Sequence, residues 1–160
     1  MDSQSELDLN ALMTALGPAL EAAEIRFYEP NLWVVAFDET LAVEIEHDET
    51  GPKLVLSADL GLPPGGEEMS TNQLLLRTNA LWRETGGLRM GIEDVSGRIK
   101  QTFHLYLQGL DAEGLKQRVH NFAQAARAWR TMIATPPTPE SGANTPEQSS
   151  GFTSFGFPRI

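Results

Sequence analysis

Apolar residues recur at intervals of three and four in three stretches of the chain, which places them on one side of an α-helix. These stretches are residues 5–20, 70–86 and 111–133. Gln73 follows Ser70 at the spacing of a capping box, and the third stretch begins at Asp111, a candidate N-cap. The pattern predicts three amphipathic helices, one near the N-terminus, one in the centre and one at the end of the folded region.

Five shorter segments instead have the pattern of strands. The first is wholly apolar, and in the other four apolar and polar residues alternate with period two, as in strands that bury one face. These segments are residues 32–37, 41–47, 53–59, 88–94 and 98–108. Turn residues separate the first three, which predicts a three-stranded antiparallel meander, and Gly97 turns the fourth segment into the fifth. The sequence therefore predicts an α/β chain of the α+β type, with the order helix, three-stranded meander, central helix, two strands and C-terminal helix.

One domain is expected, because 160 residues of which 41% are hydrophobic can bury a single core. We assign it to residues 1–134. Residues 135–160 are rich in Pro, Ser, Thr, Gly and Asn, which predicts a disordered tail. Phe152, Phe155 and Phe157 interrupt this polar composition near its end. Three interpretations stay open for these phenylalanines. They are a docking motif for a partner, a segment that folds back onto an apolar groove of the same protein, and a terminus without a role.

Charge is unevenly distributed along the chain. The first 68 residues hold 15 acidic side chains against two basic ones, Arg26 and Lys53, whereas the remainder is weakly basic. This acidic half repels phosphate backbones, so we expect no nucleic-acid partner; its plain alternative role is a solvated face that keeps the protein soluble. No apolar run approaches the roughly 20 residues that span a bilayer, and the acidic start is unlike a secretory signal. A cytoplasmic protein without a membrane span is expected.

Candidate catalytic groups are sparse. Cysteine is absent, and His47, His104 and His120 fall on different predicted elements, so no metal site and no cofactor are expected. Glu44 and Glu46 lie about 7 Å apart on one strand, where a wet sheet face is a better explanation than an acid/base pair. The loop of residues 61–68 is glycine-rich but lacks the lysine of a phosphate-binding loop. We predict that the protein is not an enzyme.

Four segments carry a resemblance to a known family. They are LAVEIEHDETGPKLVLSADLGLPP at 41–64, LLLRTNALWRETGG at 74–87, GIEDVSG at 91–97 and FAQAARAWRTMI at 122–133. In this order and spacing, the chain resembles a class I type III secretion chaperone of the Tir chaperone family over residues 7–133. The long tail and the LPPGG loop depart from the family pattern and leave the role of the tail open.

The resemblance implies a homodimer in the bacterial cytoplasm that binds the N-terminal segment of a secreted effector. It also implies that this segment is kept extended and delivered to the secretion ATPase. Carried onto this chain, the candidates for effector binding are Leu12, Leu16, Leu32, Val34, Val43 and Val55. The candidates for the dimer interface are Leu74, Leu75, Thr78, Leu81 and Trp82. For each of these residues the alternative is ordinary core, and for the protein it is a small α/β adaptor or regulator that binds a folded partner.

Overall fold

The computed structural model describes residues 9–22 and 24–135. The chain there forms α1 (Leu9–Leu20), β1 (Glu24–Tyr28), β2 (Leu32–Ala36), β3 (Ala42–Asp48), β4 (Lys53–Gly61), α2 (Glu68–Ala80), β5 (Arg89–Ile92), β6 (Ile99–Tyr106) and α3 (Ala112–Ala134). The predicted α+β class and its three helices are confirmed. Except for Thr135, the predicted tail lies outside the described residues, as does the start of the first predicted helix.

The strands of the described region form one antiparallel sheet in the order β1-β2-β3-β4-β6-β5. The meander has four strands instead of the predicted three, because β1 precedes it and pairs along its whole length with β2. Ile25 and Phe27 alternate with the charged Glu24 and Arg26 in β1, a pattern that sequence reasoning overlooked in this short and mostly exposed segment. After α2 the chain places β6 beside β4 and leaves β5 at the far edge.

Helices α1 and α3 contact each other and cover one face of the sheet. The predicted N-cap of α3 is confirmed, because the Asp111 side chain accepts a hydrogen bond from the backbone N–H of Gly114 at 2.7 Å. Along α3, the side chains of Leu115, Val119, Phe122 and Trp129 are buried against the sheet. The opposite face of the sheet carries no helix within the described region and alternates charged and apolar residues.

Helix α2 lies beside the edge strand β5, and its Leu75 belongs to the same buried core as residues of α1 and α3. It begins at Glu68, so the predicted capping box at Ser70 is wrong; the Ser70 hydroxyl instead donates to the backbone carbonyl of Glu67 at 3.0 Å. It ends at Ala80, so Trp82 lies in the following turn and not in the helix. Gly86 and Gly87 close that turn with φ angles of 69° and 96°, which only glycine adopts readily.

Candidate functional site

A groove of about 410 Å³ separates α1 from the first strand of the sheet. Its lining residues, which we call the α1/β1 groove, are Asn10, Met13, Thr14, Gly17, Ala22, Glu24, Ile25, Phe27 and Trp33. Met13, Ala22, Ile25, Phe27 and Trp33 supply apolar side chains, and Asn10, Thr14 and Glu24 supply polar groups. A concave site of this size with a mostly apolar lining suits apolar side chains of a ligand.

An aromatic pair forms one wall of the groove. The ring centroids of Phe27 and Trp33 lie 5.1 Å apart with planes inclined at 34°. Trp33 is buried, whereas Phe27 is 44% exposed and presents its ring to solvent. Gly17 lets α1 approach the strand closely, because a Cβ atom at this position would lie 3.3 Å from Cδ1 of Ile25. The shape of the groove therefore depends on a missing side chain in α1.

The groove adjoins the free edge of the sheet. The two edge strands are β1 and β5, and within residues 9–22 and 24–135 no strand pairs with the outer side of β1. The outer side of β5 is covered, because the Asn79 side chain accepts from the N–H of Met90 at 2.8 Å and donates to its carbonyl at 2.9 Å. An uncovered edge strand can accept a further strand through main-chain hydrogen bonds. Strand β1 is therefore the edge that suits strand addition.

The rim of the groove carries an ion pair. The Arg26 guanidinium hydrogen-bonds the carboxylate of Glu24 at 2.6 Å, and this bond lowers the pKa of Glu24. Within the described residues, no three His, Cys, Asp or Glu side chains gather as a metal site. The α1/β1 groove thus offers apolar contact and main-chain hydrogen bonding, with a neutral ion pair at its rim.

The open face of the sheet forms a second, striped surface. Across four strands, Leu32 lies opposite Glu46, Glu46 opposite Val55, and Val55 opposite His104. In the next row the hydroxyl of Ser57 donates to the carboxylate of Glu44 at 3.0 Å. The apolar positions here are only half-buried and alternate with acidic ones. A cavity of about 420 Å³ on this face is lined mainly by polar and charged side chains, so it differs from the α1/β1 groove in chemistry and not in size.

The six predicted effector-binding residues do not lie on one surface. Leu32, Val34 and Val55 share the open sheet face. Leu12 and Leu16 lie on α1; the first is half-buried, and the second is buried in the core, as is Val43. Sequence reasoning missed the residues that line the groove, among which Ile25 and Phe27 had a detectable signal in their period-two alternation.

The five predicted dimer residues separate into two groups. Leu75 and Thr78 are buried within the single chain and Leu74 is half-buried, whereas Leu81 and Trp82 are exposed. Further exposed apolar side chains were not predicted. On α2, on β5 and in the turns that follow them, the exposed large apolar residues are Met69, Leu76, Leu81, Trp82, Ile92 and Val95.

No helix within residues 9–22 and 24–135 is long and apolar enough to cross a membrane. Solved structures share the fold of this chain. The chain is similar to the crystal structure of the ExsC–ExsE complex, with a TM-score of 0.67 and 19% identity over 86% of this chain and 100% of that one. It is also similar to the HopA1–SchA chaperone–effector complex, with a TM-score of 0.63 and 20% identity over 77% of this chain and 93% of that one.

A third structure is the Yersinia pestis type III secretion chaperone SycH in complex with a stable fragment of YscM2. Its TM-score is 0.58, with 18% identity over 74% of this chain and 97% of that one. No match was found among curated protein sequences. The model of the Tir chaperone protein (CesT) family matches residues 11–130, which include every helix and strand described above in whole or in large part. The chain therefore belongs to the Tir chaperone protein family.

Proposed function

We propose that the protein is a type III secretion chaperone that binds the N-terminal segment of a secreted effector in the α1/β1 groove and along β1. The observation that carries this assignment is the apolar groove beside an uncovered edge strand, in a chain of the Tir chaperone protein family. The chaperone turns over no substrate. It keeps the bound segment extended and soluble in the bacterial cytoplasm and delivers it to the secretion ATPase.

Strand addition explains how an extended segment is held without a fixed sequence. Backbone groups of the incoming strand bond to the outer edge of β1, and alternate side chains point to the two faces of the extended sheet. On the face covered by α1, these side chains meet Ile25 and Phe27 at the mouth of the groove. Main-chain bonds therefore supply general affinity, and the groove selects apolar residues at alternate positions.

The protein acts as a homodimer in this proposal. Helix α2 and the turn after it expose Leu76, which is 70% accessible, and Trp82, which is 61% accessible. A second copy that packs against this surface buries these side chains, and burial contributes about 25 cal/mol for each Å² of apolar surface. Because this surface belongs to α2 and the α1/β1 groove belongs to the opposite edge of the sheet, dimer formation leaves both grooves open for one effector.

The test pairs two aromatic residues on β1. Phe27 and Tyr28 are similarly exposed, at 44% and 47%, but adjacent strand residues point to opposite faces, and only Phe27 lines the groove. The chain is co-expressed with N-terminal segments of secreted proteins from its own cell, and limited proteolysis maps the protected segment. We expect F27D to lose this protection and Y28D to retain it.

Two results would contradict the proposal. Equal loss of protection with F27D and Y28D would move the binding site away from the groove. Recovery of only folded partners, with no extended segment protected by the wild-type chain, would favour the adaptor that the sequence left open as the alternative. Size-exclusion chromatography of each variant confirms that the chain itself remains folded.

A further inference from the structure

We propose that residues 151–160, GFTSFGFPRI, fold back into the α1/β1 groove of the same chain when no effector is bound. The segment would compete with the effector for the groove. This competition rests on the function proposed above, whereas the docking itself does not.

The C-terminal half of α3 contacts the turn after β2. The Arg127 guanidinium donates to the carboxylate of Asp38 at 2.7 Å and lies 5.9 Å above the ring of Phe37. Phe37 directly follows β2, and Ala36, the last residue of that strand, pairs with Glu24 on the groove rim. This half of α3 therefore lies beside the strand end that pairs with the groove rim.

The intervening chain is long enough to reach it. About 16 residues separate Thr135 from Gly151, and a fully extended chain of this length spans up to about 55 Å. A flexible chain of the same length has a root-mean-square span of about 20–24 Å. Arg127 precedes the end of α3 by about two helical turns, roughly 11 Å along the axis. The extended length of the linker therefore exceeds this 11 Å several-fold and allows residues 151–160 to return to the groove.

The composition of the segment suits the groove. Phe155 and Phe157 are two residues apart and so point to one side of an extended chain, as side chains that enter the groove from an added strand must do. Phe152 adds a third aromatic ring, and the exposed ring of Phe27 offers a stacking partner. Arg159 is the only charged side chain in the segment, so docking desolvates little charge.

Tethering makes even a weak contact effective. A short flexible linker gives an effective local concentration in the millimolar range, so a segment that binds with a dissociation constant near 0.1–1 mM as a free peptide occupies the groove most of the time. Occupation by the tail reduces the fraction of chains that accept an effector. Its removal should tighten effector binding by roughly two- to tenfold.

Disulfide trapping tests the docking without any effector. The chain has no cysteine, so any disulfide that forms must join the two introduced cysteines. The test variant carries T14C on the groove wall and S154C in the tail; the control carries Y106C on the open sheet face and S154C. We expect an intrachain disulfide at least about fivefold faster in the test variant, and F152S/F155S/F157S in the same background should abolish that advantage.

Equal rates of disulfide formation in the two cysteine pairs would overturn the proposal. So would covalent dimers as the main product, or phenylalanine substitutions that leave the rate unchanged.

The effector experiment is separate. The full chain with F152S/F155S/F157S should bind an effector segment roughly two- to tenfold more tightly than wild type, and the T145S variant should bind as wild type does. Unchanged affinity in a chain whose disulfide trapping succeeds would overturn competition while leaving docking intact, and absent effector binding in every variant would overturn the proposed function alone.

Discussion

The side-chain amide of Gln101 donates from Nε2 to the backbone carbonyl of Phe122 at 3.0 Å, which joins the sheet to the middle of α3 in the buried core. Gln101 is fully buried, and its Oε1 atom has no hydrogen-bond partner among the described residues. The carbonyl of Phe122 lies inside the helix and can keep its helical bond without Gln101. The polar contact therefore orients α3 on the sheet but leaves one buried acceptor unpaired.

This imbalance predicts the behaviour of two substitutions. Q101M fills a similar volume, removes the unpaired acceptor and leaves no new buried polar group, so its free energy of unfolding should stay within about 1 kcal/mol of wild type. Q101A leaves a cavity in the core and should lower the free energy of unfolding by about 2 kcal/mol or more. Urea unfolding followed by circular dichroism measures both. Equal losses in the two variants would mean that the bond to Phe122 dominates.

Periodicity predicted elements better than it predicted surfaces. The regular spacing along α3 and the alternation in β3 and β4 follow from burial of one face, so they were visible in the sequence. Val43 and Val55 are chemically alike, yet the first points to the helices and the second to the open face. Only the register between strands decides which face is covered, and this depends on contacts distant in sequence.

The end of α2 also could not be placed from the local sequence pattern. Gly86 and Gly87 were predicted to end the helix, but it already ends at Ala80. The two glycines belong to the turn that follows, in which the N–H of Gly87 donates to the carbonyl of Trp82 at 2.8 Å. Strand β1 was missed because its burial is slight. The groove residues of β1 consequently could not enter the list of candidates, although the family resemblance identified the general function.

Asn79 replaces a neighbouring strand at the edge of β5. Its side chain exchanges both hydrogen bonds with Met90, as opposite residues do in an antiparallel ladder. N79A leaves the N–H and carbonyl of Met90 unpaired in a partly buried position and should lower the free energy of unfolding by about 1–3 kcal/mol. Gln73 is exposed on the same helix, so Q73A should change it by no more than about 0.5 kcal/mol.

Hydrogen exchange gives this prediction a local measurement. The amide of Met90 should exchange faster in N79A than in wild type, whereas amides in the central strand β4 should change only as far as global stability does. Unchanged protection at Met90 would show that the Asn79 bonds do not hold the edge.

The turn after β3 predicts a local acid response. The hydroxyl and the backbone N–H of Thr50 donate to the Asp48 carboxylate at 2.6 Å and 2.8 Å, and Lys53 lies 3.0 Å away. Mainly because of the Thr50 hydroxyl, the pKa of Asp48 falls from 3.8 to about 2. Since the folded pKa is below the unfolded one, the turn is fully stabilised above about pH 4 and loses this contribution as pH falls from 3.8 towards 2.

Carbon-detected NMR titration of the Asp48 carboxyl group tests the cause of this shift. T50A removes the hydroxyl donor and should raise the pKa of Asp48 towards 3.8, whereas T50S keeps the donor and should leave the pKa near 2. Equal pKa values in the two variants would assign the shift to the backbone N–H and Lys53.

The exposed apolar surface of α2 predicts a dimer that depends on Trp82. This side chain is 61% exposed in the single chain and lies beside the guanidinium of Arg83, 5.2 Å from the ring centroid. W82S should convert a dimer at micromolar concentration into a monomer, because aromatic anchors at an interface commonly contribute 2 kcal/mol or more, about a thirtyfold change in the dissociation constant. Tyr106 is similarly exposed, at 65%, on the open sheet face, so Y106S should leave the dimer intact. Light scattering gives the mass of each variant, and circular dichroism confirms that the fold is retained. A monomer mass for the wild-type chain would show that α2 is not a dimer interface. A dimer that persists in both W82S and L76S would place the interface outside α2 and the turn after it.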